Sequence, residues 1–183
     1  MKKIIFILSA ITCVYTMSCQ NNPKSPAEFL EAAAKKPNLN VSHKEYVVNV
    51  PAGWRRFDTS MQGLIVQIID APKDGNNIQS DMVIINEDMR DYSFENFVKN
   101  SLNSLSSLPS FKELEQGYFE TDAHVKGKWL HYSYTMNGYD LEGVVYIISI
   151  DGIAYEITGT SPSGSLDKYK NDFDAMAKSF HLK

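Results

Sequence analysis

The groups in this chain that could do chemistry are four histidines, scattered serines and a number of carboxylates. The histidines are His43, His124, His131 and His181. No two stand four apart, the spacing that sets a pair of imidazoles on one helix face to grip zinc. His124 and His131 flank an expected turn with Asp122 beside it, so a weak metal site across a hairpin is conceivable. Two surface histidines on adjoining strands are the favoured reading, and His181 is expected to be solvated. A serine nucleophile needs a partner base and an oxyanion donor, and no Gly-x-Ser-x-Gly elbow occurs. Ser161-Pro162-Ser163-Gly164-Ser165 reads instead as a turn and a helix cap. Asp172 and Asp174 fall on one side of an expected helix and read as a solvated face. No Gly-rich phosphate loop is present. Two cysteines, Cys13 and Cys19, cannot build a four-cysteine zinc site or a multi-bridge disulfide scaffold. These residues yield no catalytic, metal or cofactor-binding set, so the expectation is a protein without a cofactor that is not an enzyme.

The aromatic residues offer binding rather than reaction. Along one expected strand, Tyr132 and Tyr134 share a face, while Trp129, His131, Ser133 and Thr135 share the other. Trp54, Trp129 and several tyrosines could line a groove for a sugar, a peptide or a partner protein. A helix-covered core with amphipathic rings at its rim is the favoured reading.

The elements that must position these groups follow from periodicity and turn chemistry. Strands are expected at 45–50, 63–70, 81–86 and 111–121. Asn137-Gly138 and Asp151-Gly152 are hairpin turns, so strands at 128–136, 141–150 and 153–160 form an antiparallel meander. A helix capped by Ser93 carries Phe94, Phe97, Val98, Leu102 and Leu105 at helical spacing and ends near Pro109. A last helix runs from Leu166 to about Phe180, with Tyr169, Phe173, Met176, Ala177 and Phe180 on one stripe. Both faces of the 141–150 strand are apolar, so the sheet should be covered on both. The fold class is α+β, an antiparallel sheet of six to seven strands between helices.

The N-terminal residues concern placement. Lys2 and Lys3 precede an apolar run, Ile4 to Tyr15, too short to cross a bilayer core but matching the centre of a secretory signal. Thr16-Met17-Ser18-Cys19 resembles the cleavage box of bacterial lipoproteins, with Thr16 where most carry Leu. That resemblance implies a diacylglyceryl group on the Cys19 thiol, cleavage before it and acylation of the new amine. The expected organisation is a signal peptide at 1–18, a tether and short helix at 19–40, and one domain at 41–183. The helix would start at Ser25-Pro26-Ala27-Glu28, a capping box with Pro at the first helical position. Ordinary secretion with a cut elsewhere is the alternative, and it would leave Cys19 as a lone thiol.

Charge excludes one class of partner. The chain carries 18 basic and 22 acidic residues, a formal charge of -4. Losing Lys2 and Lys3 would leave 16 basic residues and a charge of -6. Nucleic-acid binders need the opposite excess to displace counterions.

Three features at characteristic spacing carry a family resemblance: a strand ending in Val50-Pro51-Ala52-Gly53-Trp54, the mid-chain helix start Ser93-Phe94-Glu95-Asn96-Phe97, and a closing strand, Gly152 to Thr160, followed by a helix ending Ala177-Lys178-Ser179-Phe180. From Val41 to Lys183 the chain resembles the PsbP-like family, including bacterial DcrB-type lipoproteins. The resemblance implies an α/β/α sandwich and brings no catalytic motif. The resulting expectation is a lipid-anchored accessory or binding module on the periplasmic side of a bacterial envelope, held to the membrane at Cys19 and acting through a protein partner. The alternative is a small-ligand binder or weak hydrolase with a pocket at the sheet edge. A cavity lined by Trp129, His131 and a carboxylate would favour the second, and a filled core with an exposed apolar patch the first.

Overall fold

A computed structural model describes residues 45–61, 64–75, 78–89 and 92–183. The expected signal peptide, Cys19, the tether with its short helix, and His43 lie outside the described residues. In chain order the elements are β1 (Tyr46–Val47), β2 (Arg55–Met61), β3 (Leu64–Asp70), β4 (Asp81–Asp88), α1 (Phe94–Leu105), β5 (Lys112–Glu120), β6 (Lys126–Met136), β7 (Tyr139–Ile150), β8 (Ile153–Pro162), α2 (Leu166–Lys178) and β9 (His181–Leu182).

Seven strands form one antiparallel sheet in the order β2-β3-β4-β8-β7-β6-β5. Its second half is the expected meander. Asn137 and Gly138 take φ of 52° and 80°, and Asp151 and Gly152 repeat those values. Two consecutive residues at positive φ give the turn whose twist matches the flanking strands. The first half arrives from the other edge, and β4 pairs with β8, so Ile84 faces Ile157 across strands far apart in sequence.

The helices flank the sheet, one on each face. Alternation along β7 divides its side chains: Val144, Tyr146 and Ile148 pack with Phe173, Met176 and Phe180, while Val145 and Ile147 pack with Phe97, Val98 and Leu105. Ser93 caps α1 through its side chain, accepting from Asn96 N. Ser165 occupies the cap of α2 without a side-chain bond.

One expected strand is shorter than its sequence suggests, and two pairings were not expected. The strand expected at 45–50 is only Tyr46–Val47, because it pairs with β9 rather than with the main sheet. Arg55–Met61 is a strand although its sequence lacks an apolar alternation; pairing with β3 on one side sets it. The tail containing His181 is also paired: Lys183 N donates to Glu45 O at 2.9 Å and Asn49 N to Ser179 Oγ at 2.8 Å. The side chain of His181 remains exposed.

Candidate functional site

The face covered by α2 carries the polar cluster best placed to be a site. Alternation along β6 turns Trp129 and His131 toward it. Across the next strand, His131 Nε2 lies 3.5 Å from Glu142 Oε2, with both side chains mostly buried. Glu142 also accepts from Ser163 Oγ at 2.9 Å and from Gly164 N at 3.0 Å, in the loop entering α2. Burial pushes its carboxyl up, but these donors and His131 outweigh it and hold the pKa below the usual carboxylate value. Ser161 is fully buried, and its Oγ has no partner among the described residues.

The order of these groups decides what they can do. Ser133, Glu142 and Ser161 are register partners on β6, β7 and β8. The carboxylate therefore stands between Ser161 and His131, whereas a serine relay needs the imidazole in the middle. Ser161 is two strand spacings, roughly 10 Å, from the backbone carrying His131. The arrangement anchors a loop and orients an imidazole; it does not activate the serine.

Further along α2, Asp172 and Asp174 depart from the expected solvated face. Trp54 Nε1 donates to Asp172 Oδ2 at 3.0 Å, and the Tyr146 hydroxyl donates to Asp174. Lys170 Nζ sits 2.9 Å from Asp174 and 5.7 Å from the centre of the Trp129 ring. Tyr169 OH and Lys168 Nζ both reach Asp74 Oδ2, at 2.8 and 3.1 Å. The reason is geometric. α2 lies on rings whose apolar bodies are buried, and their polar tips emerge at its rim, where the two aspartates meet them. Trp54 is accordingly a core residue, packed edge-on against Phe173 and Tyr169.

The opposite face holds Tyr132 and Tyr134, both buried as expected. It also holds two carboxyls that periodicity did not single out. Ser101 Oγ on α1 donates to Glu156 Oε1 at 2.5 Å. Burial pushes Glu156 up to about 7; Ser101 opposes this, and Glu87 on β4 adds to it. Asp81 is pushed up to about 7 by burial and by Asp70, its register partner on β3. Its Oδ1 is buried with no partner among the described residues. A signal was present for Glu156, a glutamate inside the otherwise apolar run from Ile153 to Ile157.

His124 and His131 do not join. His124, in the turn after β5, lies 2.7 Å from Glu120 and is exposed, while His131 meets Glu142. Asp122 uses its backbone N–H to donate to Lys178 O. Among the described residues, no group of three or more His, Cys, Asp or Glu side chains could hold a metal ion. Among the described residues, too, no helix is long and apolar enough to cross a membrane.

Among the described residues, the β5 edge of the sheet carries two exposed apolar side chains. β5 closes the sheet, and its Leu114 and Tyr118 are 50% and 74% exposed. A bulge between Glu113 and Glu115 interrupts its pairing with β6.

No protein-family model matches the sequence, and no curated protein matches it. Solved structures share its fold. LpqN of Mycobacterium tuberculosis, described as involved in cell envelope biogenesis, superposes with a TM-score of 0.64 at 12% identity, covering 89% of this chain and 99% of that one. PA94 of Pseudomonas aeruginosa, a protein of unknown function described as a putative regulator, gives 0.56 at 18% identity, covering 75% and 96%. The PsbP of the cyanobacterium Synechocystis sp. PCC 6803 gives 0.53 at 12% identity, covering 79% and 95%. At such identities the likeness is one of fold, and it agrees with the sandwich that the PsbP-like resemblance implied.

Proposed function

We propose that this chain is a non-catalytic accessory module of a bacterial cell envelope, anchored by lipid at Cys19 and acting through a protein partner. One observation carries the reading. The polar groups near α2 tie that helix and its loop to the sheet, while large apolar side chains stand exposed on the β5 edge. Each sheet face carries a buried apolar cluster, and exposed apolar side chains on a strand edge fit contact with a partner. The fold shared with LpqN, described as involved in cell envelope biogenesis, supports an envelope setting. The Thr16-Met17-Ser18-Cys19 box supports the anchor, since more than one acyl chain makes membrane attachment stable.

Membrane fractionation tests the anchor. Cys19→Ala should leave the protein unprocessed or release it from membranes; unchanged mature mass and membrane fraction would refute it. A second reading, small-ligand binding, is favoured by one finding: Trp129, His131 and the Glu142 carboxylate do share the α2 face. It predicts that His131→Ala abolishes ligand capture without affecting any protein contact.

A further inference from the structure

We propose that the outer edge of β5 is the docking site of this module, and that it accepts an extended, basic segment of a partner protein as an eighth strand. The proposal rests on the accessory reading and specifies the surface and the partner's chemistry.

β5 pairs with β6 alone, so alternate backbone N–H and C=O groups along it point away from the sheet. No backbone bond from Lys112–Glu120 runs outward among the described residues. Edge strands are ordinarily guarded by bulges and charges. Here the bulge falls between Glu113 and Glu115, and Glu113 is engaged by Gln116 Nε2 at 2.6 Å. From Glu115 to Glu120 the pairing with β6 is regular, and that stretch is open to a neighbour. Main-chain bonds along such an edge provide affinity, and alternate side chains provide selectivity.

The side chains specify the occupant. Gln116, Tyr118 and Glu120 share the face turned toward the α1 side, and Glu115 faces the other way. Tyr118 has Lys128 Nζ 5.8 Å from its ring centre and presents an exposed aromatic surface on the edge strand. A β-branched residue paired with Tyr118 would cover that ring. Basic residues paired with Glu120 and Glu115 would meet exposed carboxylates, the first of which lies beside exposed His124. A second copy of this chain is the poorer occupant through the same edge, because full antiparallel overlap would set Lys112 against Glu120 but leave Glu113 and Glu115 opposite Phe119 and Gly117, without a basic partner.

The test uses the full chain and a synthetic peptide containing Lys-Thr-Val-Thr-Thr-Lys, with a charge-reversed peptide carrying Glu in place of both Lys. The basic peptide is expected to bind, to slow amide exchange within Glu115–Glu120 and to leave β2 unchanged. The charge-reversed peptide should bind at least tenfold more weakly. Glu115→Lys combined with Glu120→Lys, both on exposed positions, should invert that preference. Binding without protection of β5, equal binding of both peptides by the unaltered chain, no binding, or concentration-dependent self-association through β5 would each overturn the proposal. Those outcomes leave the lipid-anchored accessory reading standing, because Cys19→Ala fractionation tests it separately.

Discussion

Gly159 on β8 lies directly beneath Phe173 of α2: a Cβ placed on Gly159 would stand 2.6 Å from the ring. Phe173 is fully buried within the apolar cluster of the α2 face. The missing side chain is what lets the helix approach the sheet. Gly159→Ala is therefore expected to destabilise the domain by about 1–3 kcal/mol, the range for overpacking a core. Urea melts that leave the midpoint unchanged would show that the ring can move aside.

Removing α2 should have a larger effect. Deleting the chain from Leu166 exposes Tyr146, Tyr155 and Ile157, buried now against Tyr169, Phe173 and Phe180. Each large side chain so uncovered contributes roughly 1.5–3 kcal/mol of burial, against a total stability of about 5–15 kcal/mol. The truncated chain is expected to lose cooperative melting; a sharp transition retained after the deletion would show that the helix only decorates the sheet.

Stability should fall as pH rises from about 4 toward neutrality. Asp81 and Glu156 have folded values of about 7, above ordinary values of 3.8 and 4.5. The folded state therefore binds these protons more tightly than the unfolded chain. That contribution is complete below about pH 4 and is lost progressively up to about pH 7. Asp70 and Arg55 face Asp81's neighbourhood, with Asp70 raising it, and Glu87 faces Glu156, whose contact from α1 is Ser101. Glu156→Gln should flatten the decline between about pH 4.5 and pH 7 by an amount on the order of a few kcal/mol. Parallel pH profiles for the variant and the unaltered chain would count against this account.

The Trp54–Asp172 bond provides an optical report on how α2 is seated. Asp172→Ala removes the acceptor of the indole N–H. The expected loss is about 1 kcal/mol, accompanied by a shift in tryptophan emission. A variant with the emission and melting curve of the unaltered chain would mean that the bond is absent in solution.

Much of this architecture was legible in local sequence. Asn137-Gly138 and Asp151-Gly152 dictate two tight turns, because their backbones must take positive φ and these residues tolerate it. The turns place β6, β7 and β8 side by side, and period-two alternation then assigns Tyr132 and Val145 to one face, Trp129 and Val144 to the other. The stripe from Tyr169 to Phe180 marks the buried side of α2 in the same way. Each of these depends on a residue and its near neighbours.

What the sequence alone left undecided depends on contacts between distant segments. Arg55–Met61 has no strand pattern of its own and is a strand because β3 supplies its hydrogen bonds. Asp172 and Asp174 look like solvent-facing charges until the tips of Trp54 and Tyr146 are brought to them from strands and loops far along the chain. The buried Asp81 and Glu156 take their character from low dielectric surroundings and like charges on a neighbouring strand. Burial and electrostatics are properties of the assembled space around a group, so no reading of spacing along the chain could have fixed them, whereas turns and periodicities are written residue by residue.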